Sequence, residues 1–188
     1  MKTVRDICQY IGSVIDGSPI CVETGCTYTG RGDDLVHTTT NNLYKYIVRK
    51  NGGWLYSLDI DPIHIEYARM LSELVSCSTD AYTFMPGDSV ISMTKLAIKF
   101  KKDSSVVSVL CLDSKEFDEW HMVAEFDAIK QRLAEKHFVL VDDIHNVNSV
   151  KYKQLVPILK ELDYSYVEVP TPTGMFVAAR GYSLSQVG

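Results

Sequence analysis

The sequence predicts an α/β domain built on a seven-stranded, doubly wound and mostly parallel sheet. Two observations lead to this prediction. Short runs rich in β-branched and aromatic residues recur along the 188 residues, and longer stretches with helical periodicity separate the first five runs. The last two runs are joined by residues 170–174 alone, which is too short for a helical crossover and predicts an antiparallel hairpin. The predicted sheet is therefore parallel except for its last strand, with helices on both faces.

The elements follow from these patterns in chain order. The predicted strands cover residues 19–24, 54–58, 82–85, 106–112, 138–141, 164–169 and 175–179. Apolar residues at the i, i+3, i+4 spacing predict amphipathic helices at residues 41–49, 63–75, 90–100, 117–133 and 152–162. A short N-terminal helix within residues 1–18 precedes a core at residues 19–180. Because no repeat or low-complexity linker interrupts the chain, residues 1–188 are predicted to form a single domain.

Composition excludes several classes of protein. With 46% hydrophobic residues, 23% charged residues and a net charge of -5, the chain is neither disordered nor suited to binding nucleic acid through phosphates. No apolar stretch approaches the roughly 20 residues that span a bilayer, so no membrane partner is expected. The five cysteines are odd in number and form no C-x-x-C pair, which predicts free thiols and a cytoplasmic location.

Acidic residues follow five successive predicted strands. Because the carboxyl ends of parallel strands meet at one edge of a sheet, where ligands bind in such folds, these carboxylates are expected to lie together. Their mutual repulsion calls for a cationic ligand or a bound cation. The residues are Glu23, Asp59, Asp88, Asp113, Asp142 and Asp143.

The first two strand ends indicate a nucleoside site. Gly25 allows a ligand to approach the backbone closely, and Asp59 is placed to accept both hydrogen bonds of a ribose diol. A dinucleotide enzyme uses similar geometry, so an NAD-dependent oxidoreductase is one alternative. That class needs G-x-G-x-x-G to hold a pyrophosphate, whereas this turn has Gly25, Gly30 and Gly32, and Glu23 would repel the pyrophosphate. The site therefore favours a nucleoside that carries positive charge.

Together these pieces resemble the class I S-adenosylmethionine-dependent methyltransferases, which have a Rossmann-like fold. The matching segments are Glu23-Thr24-Gly25 with Gly30, Asp59-Ile60-Asp61, Pro86-Gly87-Asp88-Ser89 and the reversed final strand. The resemblance implies that S-adenosylmethionine is the cofactor and that a small molecule is methylated, at oxygen. It implies cofactor contacts from Glu23, Gly25, Gly30, Asp59, Asp88, Ser89 and Asp113.

The later strand ends are similar to those of the metal-dependent small-molecule O-methyltransferases related to macrolide sugar methyltransferases. This resemblance implies a Mg²⁺ site at Asp113, Asp142 and Asp143. A metal-free arrangement stays open, in which Asp143 holds a loop and Asp113 touches only the cofactor. Many relatives have a histidine where this chain has Glu116.

The catalytic candidates are Asp113 and His145. His145 follows the acid pair, and the imidazole of a histidine is a side chain suited to proton abstraction near neutral pH. His121 is predicted to be a surface or packing residue, because it falls within a helix.

Three further expectations concern partners and activity. The polar segment 28–40 is predicted to act as a mobile lid over the cofactor. Contacts with the methyl acceptor are expected from the loop at 28–40, from the loop at 144–151 or from a second subunit in a homodimer. A non-catalytic binding module with the same fold is the second alternative to a methyltransferase.

Overall fold

The structure is a computed structural model that describes residues 2–26, 38–76, 81–114 and 117–187. The strands are β1 (Ile20–Thr24), β2 (Trp54–Asp59), β3 (Tyr82–Pro86), β4 (Val107–Leu112), β5 (Leu133–Asp142), β6 (Ser165–Val169) and β7 (Met175–Arg180). The helices are α1 (Val4–Val14), α2 (Thr39–Leu43), α3 (Arg49–Asn51), α4 (Pro62–Ser76), α5 (Ser89–Asp103), α6 (His121–Ile129) and α7 (Leu155–Glu161). A π-helical turn, Tyr44–Val48, joins α2 to α3, and a 3-10 turn, Lys130–Arg132, follows α6.

The sheet confirms the predicted topology. Its strand order is β3-β2-β1-β4-β5-β7-β6, with β1 to β5 parallel. β7 runs antiparallel to both β5 and β6, so the last two strands form the expected hairpin. The chain reverses its direction of winding between β1 and β4, which is the position where open α/β sheets bind ligands.

Alternating residues of each strand face two separate apolar layers. Cys21, Val109 and Leu140 face the layer that contains α1 and the segment from α2 to α3. Val22 and Leu110 face the opposite layer, which contains α5, α6 and α7. Both faces of the central strands are buried, which explains why these strands read as continuous apolar runs.

Two predicted helices are shorter in the structure than the periodicity suggested. The helix expected at 117–133 is confined to His121–Ile129, because Leu133 already belongs to β5. The register between β4 and β5 shifts after the pair Val107 and Leu133, so the start of β5 bulges away from its neighbour. The helix expected at 152–162 begins at Leu155, and the turn before it contains Lys151.

Most of the predicted lid falls on residues 27–37, which lie outside the described part of the chain, as does Gly30. Within the described ranges, no helix is long and apolar enough to cross a membrane. The four described cysteines, Cys8, Cys21, Cys26 and Cys111, are buried free thiols, as predicted.

Candidate functional site

A cavity of about 270 Å³ opens at the carboxyl ends of β1 to β4. Its wall includes three of the predicted carboxylates, which come from three different strand ends. Among the described residues that form this wall, none is a lysine or an arginine. The lining residues are Gly25, Leu58, Asp59, Ile60, His64, Asp88, Ser89, Asp113, Ser114 and His121.

Gly25 brings the ends of β1 and β4 into direct backbone contact. Its φ of 70° lies in the left-handed region, and its N–H donates to the Leu58 carbonyl at 2.9 Å. A Cβ at this position would lie 1.8 Å from the carbonyl oxygen of Asp113. Only glycine therefore allows the β1 turn to pack against the backbone that carries Asp113.

Asp59 ends β2 and is held by its neighbours. One carboxylate oxygen accepts the Asp61 N–H at 2.8 Å and lies 3.4 Å from His64 Nδ1. The other oxygen lies 3.6 Å from the Cys26 thiol sulfur. These contacts fix the Asp59 side chain while it remains part of the cavity wall.

Glu23 lies behind the cavity wall. Its side chain is 1% exposed, and its Oε1 accepts a hydrogen bond from the Ser57 hydroxyl at 2.5 Å. Burial raises the pKa of Glu23 to about 7; hydrogen bonds from Ser57 and Thr40 oppose the rise, and the nearby charge of Asp59 adds to it. Glu23 therefore influences the site through charge and packing beneath the β1 turn.

The stability of the protein should fall as the pH rises towards neutrality, because of Glu23. Its pKa is about 7 in the folded chain and ordinarily 4.5, so the folded state holds this proton more tightly than the unfolded state does. The resulting stabilisation is fully present below pH 4.5, the ordinary pKa of the side chain, and is lost as the pH rises through about 7, its pKa in the folded protein. It amounts to about 3 kcal/mol in the free energy of unfolding. In urea titrations, Glu23→Gln should not lose stability over this pH range. The control variant Glu135→Gln, at an exposed position, should lose stability as the wild type does. Equal pH slopes for wild type and Glu23→Gln would contradict the assignment.

Glu125 on α6 is a buried hydrogen-bond acceptor shared by several strand ends. The side chain is wholly buried, and Oε1 accepts from the hydroxyls of Ser89 and Ser114, the latter at 2.5 Å. Oε2 lies 3.3 Å from the Thr24 hydroxyl, which donates to it. Glu125 thus connects the ends of β1 and β4 with the start of α5.

His121 belongs to the same network and lines the cavity. Its Nε2 lies 3.0 Å from Ser89 Oγ and 3.3 Å from Glu125 Oε1. His121 was predicted to be a surface or packing residue; the structure places it at the start of α6, largely buried and in the cavity wall. Asp88, the neighbour of Ser89, is the N-cap of α5 and accepts the Ile91 N–H at 3.0 Å.

The predicted magnesium ligands do not form a metal cluster. Across residues 2–26, 38–76, 81–114 and 117–187, no group of three or more His, Cys, Asp or Glu side chains is placed to hold a metal ion. The ammonium group of Lys151 lies between two of the predicted ligands and donates to Asp113 Oδ1 and, at 2.9 Å, to Asp143 Oδ2. Asp142 instead accepts the Asp143 N–H at 2.8 Å. The donor set does not fit Mg²⁺, because Lys151 already pairs with two of its carboxylates and the third accepts a backbone N–H.

The structure places His145 away from the cavity wall. Its N–H donates to the Thr173 carbonyl at 2.8 Å, and its ring lies against Gly174 in the β6–β7 turn. His145 is exposed and packs against the turn of the β6–β7 hairpin. Nothing in the sequence indicated that this turn contacts the loop after β5. Among the described histidines, His64 and His121 line the cavity.

Comparison with known proteins defines the fold. No protein-family model matches the sequence, and no curated protein is significantly similar to it. A methyltransferase from Geobacter sulfurreducens has a TM-score of 0.62 at 14% identity, over 94% of this chain and 75% of that chain. A Streptococcus mutans protein in complex with S-adenosylhomocysteine (SAH) has a TM-score of 0.62 at 12% identity, over 95% and 98%. An rRNA methylase from Streptococcus thermophilus has a TM-score of 0.60 at 9% identity, over 96% and 97%.

The chain has the methyltransferase fold. Of the seven residues predicted to contact the cofactor, Glu23 is not part of the cavity wall and Gly30 lies outside the described residues. The wall contains the other five, namely Gly25, Asp59, Asp88, Ser89 and Asp113. Three residues at these strand ends, Glu125, His121 and Lys151, were not predicted to belong to the site. Only Glu125 has a signal in the sequence, because it is an acid within the apolar stripe of α6, whose other members are Met122, Phe126 and Ile129. His121 and Lys151 left no comparable signal, because only the tertiary packing shows what they contact.

Proposed function

We propose that this protein is an S-adenosylmethionine-dependent methyltransferase that acts on an oxygen of a small molecule. The carrying observation is the cavity at the carboxyl ends of β1 to β4, which presents three carboxylates and, among its described lining residues, no lysine or arginine. Such a wall suits a nucleoside that carries positive charge. It does not suit the pyrophosphate of NAD, which is the alternative ligand for a sheet of this kind.

Different residues of the cavity would contact different parts of the cofactor. Asp59, which the Asp61 N–H helps to fix in the cavity wall, would accept hydrogen bonds from the two ribose hydroxyls. Because Gly25 has no side chain, the β1 turn packs directly against the backbone of Asp113, and both residues belong to the cavity wall. Asp88 and Ser89, at the start of α5, supply the wall beyond the end of β3.

Asp113 is our candidate for the general base. When bound, S-adenosylmethionine supplies a methyl group attached to positively charged sulfur. Asp113 would take the proton of the acceptor hydroxyl as the oxygen–carbon bond forms and the carbon–sulfur bond breaks. Burial raises the pKa of Asp113 well above its usual range, although the positive charge of Lys151 opposes the rise. A raised pKa makes this carboxylate a stronger base. We assign this role to Asp113 because it lines the cavity and His145 does not.

The charge of the cavity supports a small molecule as the acceptor. An RNA acceptor brings phosphates, which Lys and Arg side chains bind, whereas the described wall carries Asp59, Asp88 and Asp113. The rRNA methylase among the structural neighbours shows that the fold alone does not decide between the two acceptors.

Isothermal titration calorimetry should detect binding of S-adenosylmethionine and SAH to the wild-type chain, and no binding of NADH. Asp59→Ala should weaken SAH binding about 100-fold, because two hydrogen bonds to a charged acceptor are lost at about 1.4 kcal/mol each. Asp61→Asn is the matched control, since Asp61 lies outside the cavity wall and the amide can still accept the Ile63 N–H.

Binding of NADH in place of S-adenosylmethionine would favour an oxidoreductase, and binding of neither would favour a non-catalytic module. With a labelled methyl donor, label should enter a small-molecule fraction in preference to RNA. Labelling of RNA instead would contradict the proposed acceptor.

A further inference from the structure

Lys151 is a buried cation that joins the ends of β4 and β5. It lies in the turn between β5 and α7, and its side chain is wholly buried. The ammonium donates to Asp113, which follows β4, and to Asp143, which follows β5, at 2.9 Å in the second case. Asp113 and Asp143 keep 22% and 16% of their side-chain exposure, so the lysine contacts them from the protein side.

Burial of this lysine is favourable only because of its partners. Removing an ammonium group from water costs several kcal/mol, and carboxylates in hydrogen-bond contact offset that cost. The carboxylates depend on the lysine in the same way, since Asp113, Asp142 and Asp143 are crowded at one edge of the sheet. Asp142 finds other donors, namely the Asp143 N–H at 2.8 Å and the Thr173 hydroxyl at 3.4 Å. All three carboxylates are therefore satisfied by groups of this chain.

We infer that Lys151 takes the place of a divalent cation at the ends of β4 and β5. Its fixed positive charge offsets the repulsion between Asp113 and Asp143 and holds Asp113 in the cavity wall. The protein therefore needs no divalent ion at these carboxylates. Lys151 is a positioning residue, because it acts through Asp113 and does not itself line the cavity.

The first test is a titration of wild-type protein with Mn²⁺, followed by electron paramagnetic resonance and by thermal unfolding. We expect no saturable binding and no shift of the unfolding midpoint, with or without a chelator. Saturable Mn²⁺ binding that Asp142→Asn abolishes would overturn the inference. This measurement needs no variant of Lys151 and does not depend on the proposed methyl transfer.

The second test separates the charge of Lys151 from its packing. Lys151→Met fills the space without charge and should lower the unfolding midpoint by about 10 °C, because two crowded carboxylates lose their counter-charge. Lys151→Ala should be destabilised as well, but methylammonium should restore much of the lost midpoint by entering the vacated space. Lys153→Met, two residues further along and exposed, is the control and should behave as wild type.

Methylammonium must act beyond an equal concentration of sodium, and it must not rescue Lys151→Met, which leaves no space for it. Wild-type stability of Lys151→Met, or failure of methylammonium to stabilise Lys151→Ala, would overturn the inference. If neither variant folds, the wild-type titration decides alone. If the wild-type protein does not bind SAH, the proposed function is refuted, but the conclusions about Lys151 are unaffected.

Discussion

Replacement of Gly25 with alanine should abolish measurable SAH binding and lower the free energy of unfolding by about 4 kcal/mol or more. The new Cβ would lie 1.8 Å from the Asp113 carbonyl oxygen and 2.8 Å from its carbonyl carbon. Both contacts are with backbone, so no side-chain rotation relieves them. Either the β1 turn or the loop after β4 must move, and both form the cavity wall. Calorimetric titration with SAH and urea unfolding measure the two effects.

Gly17 provides a matched control for the backbone strain. Its φ of 72° is close to the 70° of Gly25, but a Cβ at Gly17 meets no atom within 4 Å. Gly17→Ala should therefore cost only about 1 kcal/mol, from the left-handed conformation, and leave SAH binding intact. If Gly25→Ala had the same free energy of unfolding as Gly17→Ala and still bound SAH, the close contact with Asp113 would not be needed for stability or for binding.

Substitution of Glu125 with alanine should destabilise the protein by about 4 kcal/mol, because it leaves several buried donors without their acceptor at about 1–3 kcal/mol each. The donors are the hydroxyls of Thr24, Ser89 and Ser114, with His121 in the same network. SAH binding should weaken in parallel, since these residues hold three neighbouring parts of the cavity wall. Urea unfolding and calorimetric titration report the two changes.

Glu125→Gln should lose less stability than Glu125→Ala, because the amide oxygen still accepts hydrogen bonds. Asp127→Ala is the control on the same helix: Asp127 is about half exposed and pairs with Lys130 at 2.7 Å, so its loss should cost less than about 1 kcal/mol. An Ala variant at Glu125 as stable as this control would show that the network does not hold the strand ends together.

The fold was predictable because its signals are local. Apolar runs mark strands buried on both faces, and the five residues between the last two runs exclude a crossover helix. Errors arose where tertiary contacts override periodicity. Residues 130–133 continue a helical pattern, yet Leu133 pairs with Val107 across the sheet.

The site was predictable only in part, for a related reason. Asp59 and Asp113 could be placed because each follows a strand, and parallel strands end at one edge. Lys151 could not be placed, because nothing in the turn after β5 indicates that its amine reaches back to Asp113. The metal prediction recognised that these carboxylates need a counter-charge but could not identify Lys151, which pairs with Asp113 and Asp143.

The strand order also constrains when the sheet can be completed. β6 lies at the sheet edge and is joined to it through β7, although β7 follows β6 in the chain. During synthesis, β6 therefore has no docking place until β7 has emerged and paired with β5. In that interval the backbone N–H and C=O groups along one edge of β5 are unpaired, and the side chains of this strand are largely apolar. Such an edge promotes aggregation of nascent chains. The rate of β7 docking should thus determine how much newly made protein reaches the native state.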